Sequence, residues 1–548
     1  MPGPTAPKTT PAALGTAAAG GFQLGEALNR ISRQAVTNGR IIGTLEDTGH
    51  IATSIQLPLF MKYLALALLL LLTLPGVRAQ QFTVSYTSTA YAGPFTGNVI
   101  LYLSQKNEEP KDQPGWPCYR LAVRNVKPGE TVVFSDAALS YPTLLSRIAR
   151  GNYYVQAVWD RNREGREIGR SPSNPYSPAR KVALQNSTEK FSLVCDQAVA
   201  VPVFVPTTFC KELKVPSALL SRFQHKPVAL NAAVILPKDY QQHPARRYPV
   251  LLTVGGYGGS YQHYSRAEST DTLPANPIDT VACIRVFLDG DCSLGHSVYA
   301  NSANNGPVGD ALTTELLPAL DRQYRTNGAR LLRGHSSGGW AVAYLLTHYP
   351  KLFVAGNASS PDPVDFHRFV RTNLYTDARR VPFADSVSYG GPLPEGIVYD
   401  RPTIAHGIED VLYRGEQDAS FDAVFGPRGP QGLPVPLFDS ATGSINRLVF
   451  AHWKQYDLTQ YLTRNWARLR PDLGGKLRIT AGTEDNYSLN VSVLLMEQAM
   501  KKLGADITFA YFPGTHFTVG GPEYRQAETQ WLKQAYLAWL ARHPQSRC

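Results

Sequence analysis

Short apolar runs between residues 249 and 511 alternate with segments of helical period, and this alternation restricts the fold more than any other feature. The runs are Pro249–Val254, Val281–Leu288, Arg330–Leu332, Leu352–Ala355, Lys476–Thr480 and Ile507–Tyr511. Strands buried on both faces read as continuous apolar runs, and strands that alternate with helices form a mostly parallel sheet. The sequence therefore predicts a doubly wound α/β domain over residues 206–548.

A different pattern precedes this domain. From Gln81 to Val205, short β-type runs are separated by turns that contain Pro and Gly, and helical period is scarce. The runs are Asn98–Leu103, Thr131–Phe134, Tyr153–Trp159 and Lys181–Leu184. Short strands with turn signals between them are typical of a sandwich of two sheets. We therefore predict a small, antiparallel, all-β sandwich domain over residues 80–205.

The N-terminal part of the chain carries a targeting signal. Residues 61–79 combine Lys62, an apolar stretch and a small-residue cleavage site, which is the arrangement of a secretory signal peptide. The apolar stretch is shorter than the roughly 20 residues of a membrane span and is interrupted by Pro75. We predict a secreted or periplasmic protein with no stable membrane anchor. Met61 is then the true start, and residues 1–60 are a non-native or disordered extension.

The charge distribution and the cysteines indicate which partners, which redox compartment and which cofactors to expect. Lys and Arg number 54 against 43 Asp and Glu, and the surplus forms no basic block. Dispersed charge of this kind does not indicate a nucleic-acid partner. The 6 cysteines are consistent with an oxidising compartment, but their pairing is open and buried free thiols are an equal alternative. No His/Cys cluster has metal-site spacing, so we expect neither a metal nor a cofactor.

The segment Gly334–Gly338 contains the motif G-x-S-x-G with Ser336 at its centre. An apolar run precedes the motif and a helical segment that begins with small residues follows it. This order predicts that Ser336 lies on a tight turn from a strand into a helix. Such a turn needs small neighbours because its strained backbone brings the adjacent chain close. A serine in this position can act as a nucleophile once a base removes its proton.

A base and an orienting acid follow Ser336 in the order Ser, Asp, His. Asp485 and His516 each follow the end of a predicted strand, so both are expected on loops at the carboxyl edge of the sheet. Glu484 is the competing acid because it lies on the same loop as Asp485. We predict that Ser336 is the nucleophile, His516 the base and Asp485 the acid.

Acyl transfer also requires donors for the oxyanion of the tetrahedral intermediate. The backbone N–H of Ser337, directly after the nucleophile, is one predicted donor. The second is the N–H of Tyr257, in the Gly-rich stretch after the strand at 249–254. A phosphate-binding loop is excluded there because no G-K-[ST] follows. We interpret the Pro/Gly-rich interval 380–440 as a lid or specificity insertion.

Four motifs together resemble those of the esterase D-like family of α/β hydrolases that is described as "Putative esterase". They are GGYGG at 255–259, GHSSGG at 334–339, GTEDN at 482–486 and GTHF at 514–517. The resemblance covers about residues 220–545 and implies an α/β-hydrolase fold with Ser336, Asp485 and His516 as its triad. The family includes feruloyl and acetyl esterases. One departure is Gly255, where the family commonly has a His-Gly start to the oxyanion loop.

The resemblance implies an exported serine carboxylesterase that cleaves a small-molecule or polysaccharide ester through an acyl-enzyme. The N-terminal sandwich is similar in architecture to the accessory β domain of some exported esterases. Two alternatives stay open. One is a serine peptidase of related fold, and the other is a non-catalytic polysaccharide-binding protein on a hydrolase scaffold.

Overall fold

The computed structural model describes residues 80–112, 117–185, 189–265, 278–381, 401–412, 417–439 and 442–546, with side chains in the helix at 401–412 described from residue 407. The described residues all belong to one compact unit. The predictions for residues 1–60 and 61–79 lie outside these ranges. Among the described helices, none has both the length and the apolar character needed to cross a bilayer.

Two β-sheets form the first domain. Its strands are β1 (Gln81–Tyr86), β2 (Phe95–Ser104), β3 (Cys118–Val126), β4 (Val132–Phe134), β5 (Leu139–Tyr141), β6 (Gly151–Asp160), β7 (Pro175–Tyr176), β8 (Arg180–Leu184), β9 (Lys190–Cys195) and β10 (Gln197–Ala198). One sheet has the order β4-β1-β9, and the other has the order β10-β7-β6-β2-β3-β5 with β8 also paired to β6. An apolar cluster around the buried Trp159 contains residues of both sheets. The predicted all-β domain is present, although β1 and β9 run parallel rather than antiparallel.

A single eight-stranded sheet organises the second domain. Its strands are β11 (Cys210–Pro216), β12 (Ala229–Ile235), β13 (Tyr248–Val254), β14 (Ile284–Leu288), β19 (Thr326–His335), β20 (Ala355–Ser359), β21 (Leu477–Gly482) and β22 (Thr508–Phe512). Four short strands form two separate two-stranded ribbons: β15 (Asp291–Cys292) with β16 (Gly295–His296), and β17 (Asn301–Ser302) with β18 (Gly306–Pro307). The order is β11-β12-β14-β13-β19-β20-β21-β22. All pairings from β14 to β22 are parallel.

Helices connect these strands and cover the sheet. They are α1 (Ala218–Gln224), α2 (Val308–Ala311), which continues through a π-helical turn (Leu312–Leu316) into α3 (Leu317–Gln323), α4 (Ser337–His348), α5 (Arg401–Leu412), α6 (Gln417–Phe425), α7 (Arg447–Trp453), α8 (Leu458–Leu473), α9 (Leu489–Lys502) and α10 (Pro522–Arg542). This strand order, with helices between parallel strands, confirms the predicted α/β-hydrolase fold. Carboxyl ends of the parallel strands meet at one edge, where ligands bind in folds of this type.

The sequence pattern predicted one strand at the wrong residues. The run Leu352–Ala355 shares only its last residue with β20, which is built from Ala, Gly, Asn and Ser. The reason is steric, because a Cβ on Gly356 would lie 2.6 Å from a methyl carbon of Leu346 on α4. Small residues let α4 pack against β20, and they leave no apolar run to detect. Strand β12 pairs antiparallel with both of its neighbours, β11 and β14. Neither β11 nor β12 was among the predicted strands.

The interval 380–440 is described in part, since residues 382–400, 413–416 and 440 lie outside the described ranges. Its helix α5 buries Ile408, Val411 and Leu412 in an apolar cluster with residues of β2, β3 and β6 of the first domain. This packing joins the two domains across an apolar surface. The predicted lid role of the interval stays a prediction.

Within the described ranges, no disulfide bond joins any two of five cysteines: Cys118, Cys195, Cys210, Cys283 and Cys292. Burial raises the pKa of the Cys283 and Cys292 thiols to about 12, so neither is ionised near neutral pH. Among these five cysteines, the alternative without disulfides therefore describes the structure, while Cys548 lies outside the described residues.

Candidate active site

Ser336 occupies the turn between β19 and α4 with φ 59° and ψ −126°. A positive φ is unfavourable for a residue with a Cβ and persists only where the surroundings hold it. Three hydrogen bonds do so here. The Ser336 N–H donates to the carbonyl of Ser359 at 3.0 Å, and the Ser336 carbonyl accepts from the N–H groups of Trp340 at 3.0 Å and Asp362 at 3.2 Å. Ser336 is therefore fixed at the N-terminus of α4, on the carboxyl edge of the sheet.

Glycines make this turn sterically possible. A Cβ on Gly334 would collide with the carbonyl oxygen of Gly338, and a Cβ on Gly338 would collide with the carbonyl oxygen of Val254. The obstacles are backbone atoms, which cannot rotate away as a side chain could. The motif G-x-S-x-G thus has a direct physical cause, because the start of α4 packs against β13 and β19 at backbone distance.

Asp485 and His516 form a buried pair. His516 Nδ1 lies 2.9 Å from Asp485 Oδ2, and the two side chains are 5% and 0% exposed. The other carboxylate oxygen, Oδ1, accepts the backbone N–H groups of Tyr487 at 2.9 Å and Leu489 at 3.3 Å. Since a carboxylate only accepts, Nδ1 carries the proton and Nε2 is left as the basic nitrogen. The acid therefore fixes both the orientation and the tautomer of His516.

Of the two acids that the sequence left in competition, only Asp485 is hydrogen-bonded to His516 in the described structure. Glu484 donates its backbone N–H to the carbonyl of Gly514 at 3.0 Å, which joins the two loops that follow β21 and β22. This bond holds the loop of the acid against the loop of the histidine.

Aromatic rings surround His516. The rings of His335, Tyr487 and Phe517 lie 4.6, 5.0 and 5.3 Å from it, centroid to centroid. His335 directly precedes Ser336, so the contact between the two histidine rings brings the His516 loop against the turn of Ser336. Burial lowers the pKa of His335 to about 4. His335 is therefore neutral at physiological pH and adds no charge beside His516.

Asp362 is a buried carboxyl group that the sequence analysis missed. Its backbone N–H donates to the Ser336 carbonyl, and its side chain is hydrogen-bonded to Ser337. The Ser337 hydroxyl oxygen also accepts a hydrogen bond from Gln417 Nε2 at 3.2 Å. Burial raises the pKa of Asp362 to about 6, while the bond to Ser337 and the nearby His516 oppose that rise. The sequence did hold a signal, because Asp362 follows β20 at the same edge as the other site residues.

The Gly-rich loop after β13 lies against the turn of Ser336. A Cβ on Gly256 would be 3.4 Å from Ser336 Cβ, so no side chain separates the two backbones. Gly258 has φ +80°, which lets the chain reverse direction directly after Tyr257. The structure thus brings the Tyr257 loop close to Ser336, beside Ser337 at the first position of α4.

A cavity of about 360 Å³, lined by both polar and apolar residues, lies beyond the end of β14. Burial raises the pKa of Asp289, on its wall, to about 7. His296, which follows in the chain, is structural, because its Nδ1 accepts the N–H of Val298 at 3.0 Å and burial lowers its pKa to about 4. Further residues that line the cavity are Asn231, Asp291, Ser293, Asn304 and Asn305.

One group of side chains in the described ranges has the spacing of metal ligands: Asp365, His367 and Asp457. The oxygens of Asp457 already accept the backbone N–H groups of Phe366 and Gln460, and His367 Nδ1 bonds to Asp365 at 2.8 Å. These bonds explain the cluster as a network that ties the segment after β20 to the start of α8. It assigns no metal to the Ser336 site.

Comparisons with known proteins agree with the motifs. Residues 227–407 match the model of the family described as "Putative esterase", which confirms the resemblance over about a third of the chain. No curated protein matches the chain.

Similar solved structures include a ferulic acid esterase, with 17% identity over 60% of this chain and 96% of that chain, and a TM-score of 0.36. An S-formylglutathione hydrolase from Agrobacterium tumefaciens has 13% identity over 61% and 94%, with a TM-score of 0.33. Porphyromonas gingivalis dipeptidyl peptidase 4 has 13% identity over 80% and 48%, with a TM-score of 0.35. At these values the relatives do not define a substrate for this chain.

We predict that Asp362→Asn stabilises the protein by up to roughly 3 kcal/mol at pH 8 and by less than about 1 kcal/mol at pH 4. Because burial raises the pKa of Asp362 to about 6 from the ordinary 3.8, its charged form costs stability above pH 6. That cost falls as the pH drops from 6 to 3.8 and is absent below. Thermal unfolding at the two pH values measures the difference. Asp196→Asn, at an exposed position, is the control, and an equal gain at both pH values would contradict the prediction.

Proposed function

We propose that this chain is a serine hydrolase that cleaves carboxylic esters through an acyl-enzyme. The observation that carries the proposal is the buried hydrogen bond of 2.9 Å between His516 and Asp485, formed beside a serine held at a strained strand-to-helix turn. A serine is unreactive at neutral pH without a base, and the base needs an acid that sets its tautomer. The match to an esterase family model supports the same reaction class.

In the proposed first step, Ser336 Oγ attacks the ester carbonyl carbon while His516 Nε2 takes the hydroxyl proton. The imidazolium that forms is stabilised by the Asp485 carboxylate, which is fully buried and already bound by two backbone N–H groups. His335, which lies beside the His516 ring, is neutral and so does not repel the positive charge that forms on His516. The pair is therefore preorganised for a transient positive charge on His516.

The negative charge develops on the former carbonyl oxygen. We propose that the N–H groups of Tyr257 and Ser337 donate hydrogen bonds to this oxygen, since the Tyr257 loop lies against Ser336 and Ser337 begins α4. The N-terminus of this 12-residue helix adds a favourable dipole. His516 then protonates the leaving alcohol, and the acyl-enzyme remains on Ser336. Attack by water, with His516 again as base, releases the acid and restores the enzyme.

The proposal is tested by hydrolysis of p-nitrophenyl acetate with wild type and Ser336→Ala. We expect turnover by the wild type and a loss of at least about 10⁴-fold in the variant, because the acyl-enzyme cannot form. The thermal midpoint of both proteins shows whether the variant is folded. Wild type that cleaves 4-nitroacetanilide but not the ester would favour a peptidase. Equal background rates in both proteins would reject a hydrolase with Ser336 as its nucleophile.

The assignment of the acid gives a separate prediction. We expect Asp485→Asn to lower kcat by roughly 10⁴-fold, because an amide no longer sets the tautomer or stabilises the imidazolium. Glu484→Gln is the matched control, one residue earlier on the same loop, and should change kcat by less than about twofold. Steady-state kinetics on p-nitrophenyl acetate measure both. Comparable losses in the two variants would mean that the acids share the role.

A further inference from the structure

Arg166 belongs to the first domain, in the loop between β6 and β7, yet its side chain reaches the oxyanion loop of the second. Its Nη1 donates to Tyr257 Oη at 3.0 Å, and its guanidinium lies 4.6 Å from the centre of the Tyr257 ring. Nε donates to Asp291 Oδ1 at 3.3 Å. Only 10% of the Arg166 side chain is exposed. A largely buried cation from one domain therefore contacts the loop that carries a proposed oxyanion donor in the other.

Carboxylates hold Arg166 itself in place. Glu167 accepts a hydrogen bond from Nη2 at 2.5 Å, and Asp291 accepts the one from Nε. Glu167 is further paired with Arg170 at 3.3 Å. Charge-assisted bonds from a planar guanidinium fix its orientation as well as its position. Arg166 is thus a rigid contact, unlike an exposed pair whose long side chains are free to separate.

The composition of the oxyanion loop makes this contact important. Its sequence is Gly255-Gly256-Tyr257-Gly258-Gly259, so Tyr257 supplies the only side chain in five residues. Glycines allow the close approach to Ser336, but they also leave the loop many backbone conformations. Contacts to the Tyr257 side chain are therefore the means by which surrounding residues can restrict the conformation of this loop. Arg166 contacts both the ring and the hydroxyl group of Tyr257.

We propose that Arg166 is a positioning residue for ester hydrolysis, and that the first domain thereby completes the active site. By fixing the Tyr257 side chain, Arg166 holds the Tyr257 N–H toward the oxyanion. A Cβ on Gly258 would lie 3.6 Å from Arg166 Nη2, so the guanidinium also packs against the backbone directly after Tyr257. This inference rests on the proposed function, because an oxyanion forms only if Ser336 attacks an ester.

A merely structural role would be to join the two domains. The same loop offers a second contact of that kind, the ion pair between Glu164 and Lys226 at 3.1 Å. Both of these side chains are well exposed, 71% and 42%. Loss of Lys226 therefore removes a bond between the domains without touching the Tyr257 loop. The matched pair of variants is Arg166→Met and Lys226→Met, which keep the apolar stem and remove the charge.

We expect Arg166→Met to lower kcat on p-nitrophenyl acetate by roughly 10–100-fold with KM changed by less than about twofold, because a displaced N–H weakens binding of the transition state more than of the ester. The inhibition constant of phenylboronic acid, which forms a tetrahedral adduct with a nucleophilic serine, should rise by the same factor. Lys226→Met should leave both within about twofold. Tyr257→Phe removes only the hydroxyl that Arg166 binds, and should act in the same direction with a smaller effect.

The double variant of Arg166→Met and Tyr257→Phe should lose little more than Arg166→Met alone, since the two groups act through one contact. Equal losses in Lys226→Met and Arg166→Met, or a rise in KM alone, would overturn the positioning role. If Arg166→Met does not fold, an unchanged kcat in Tyr257→Phe overturns it equally. Wild type with no turnover and no boronate binding would instead overturn the proposed function, on which this role depends.

Discussion

The close approach of α4 to the sheet is the constraint on which the site depends. Gly334 and Gly338 have no Cβ to hold the helix away from β13 and β19, so the chain can turn sharply at Ser336 and the helix can begin directly after it. The same closeness lets the loop after β13 lie against Ser336, and it leaves no room for a side chain at Gly356 of β20. Loops that follow the neighbouring strands are therefore gathered within reach of one serine.

Much of this arrangement could be predicted from the sequence, because it depends on patterns within short segments. Apolar runs mark most of the parallel strands, and the glycines mark the turn of Ser336. Spacing could not separate Asp485 from Glu484, which are adjacent. Geometry separates them, since the Asp485 carboxylate is aligned by two N–H groups at the start of the next helix. The strand at 355–359 was misplaced because packing against α4 requires small residues there.

Contacts between distant segments were beyond the sequence analysis. The buried Asp362 has no motif of its own, and its role follows from its bond to the turn of Ser336. Arg166 and Tyr257 are 91 residues apart and belong to different domains. Together with the apolar packing of α5 on the first domain, this contact makes the β-sandwich part of the support of the site. Only the folded chain shows that a domain with no evident chemistry reaches the loop that carries the proposed oxyanion donor Tyr257.

The central claim is that Ser336 is a nucleophile activated by His516. Its most direct test is reaction of the full chain with diisopropyl fluorophosphate, followed by peptide mapping in a mass spectrometer. We predict one diisopropylphosphoryl group on Ser336, no label in Ser336→Ala, and labelling slowed by orders of magnitude in His516→Ala, which lacks the base. An adduct on another serine, or equal labelling rates in wild type and His516→Ala, would contradict the account.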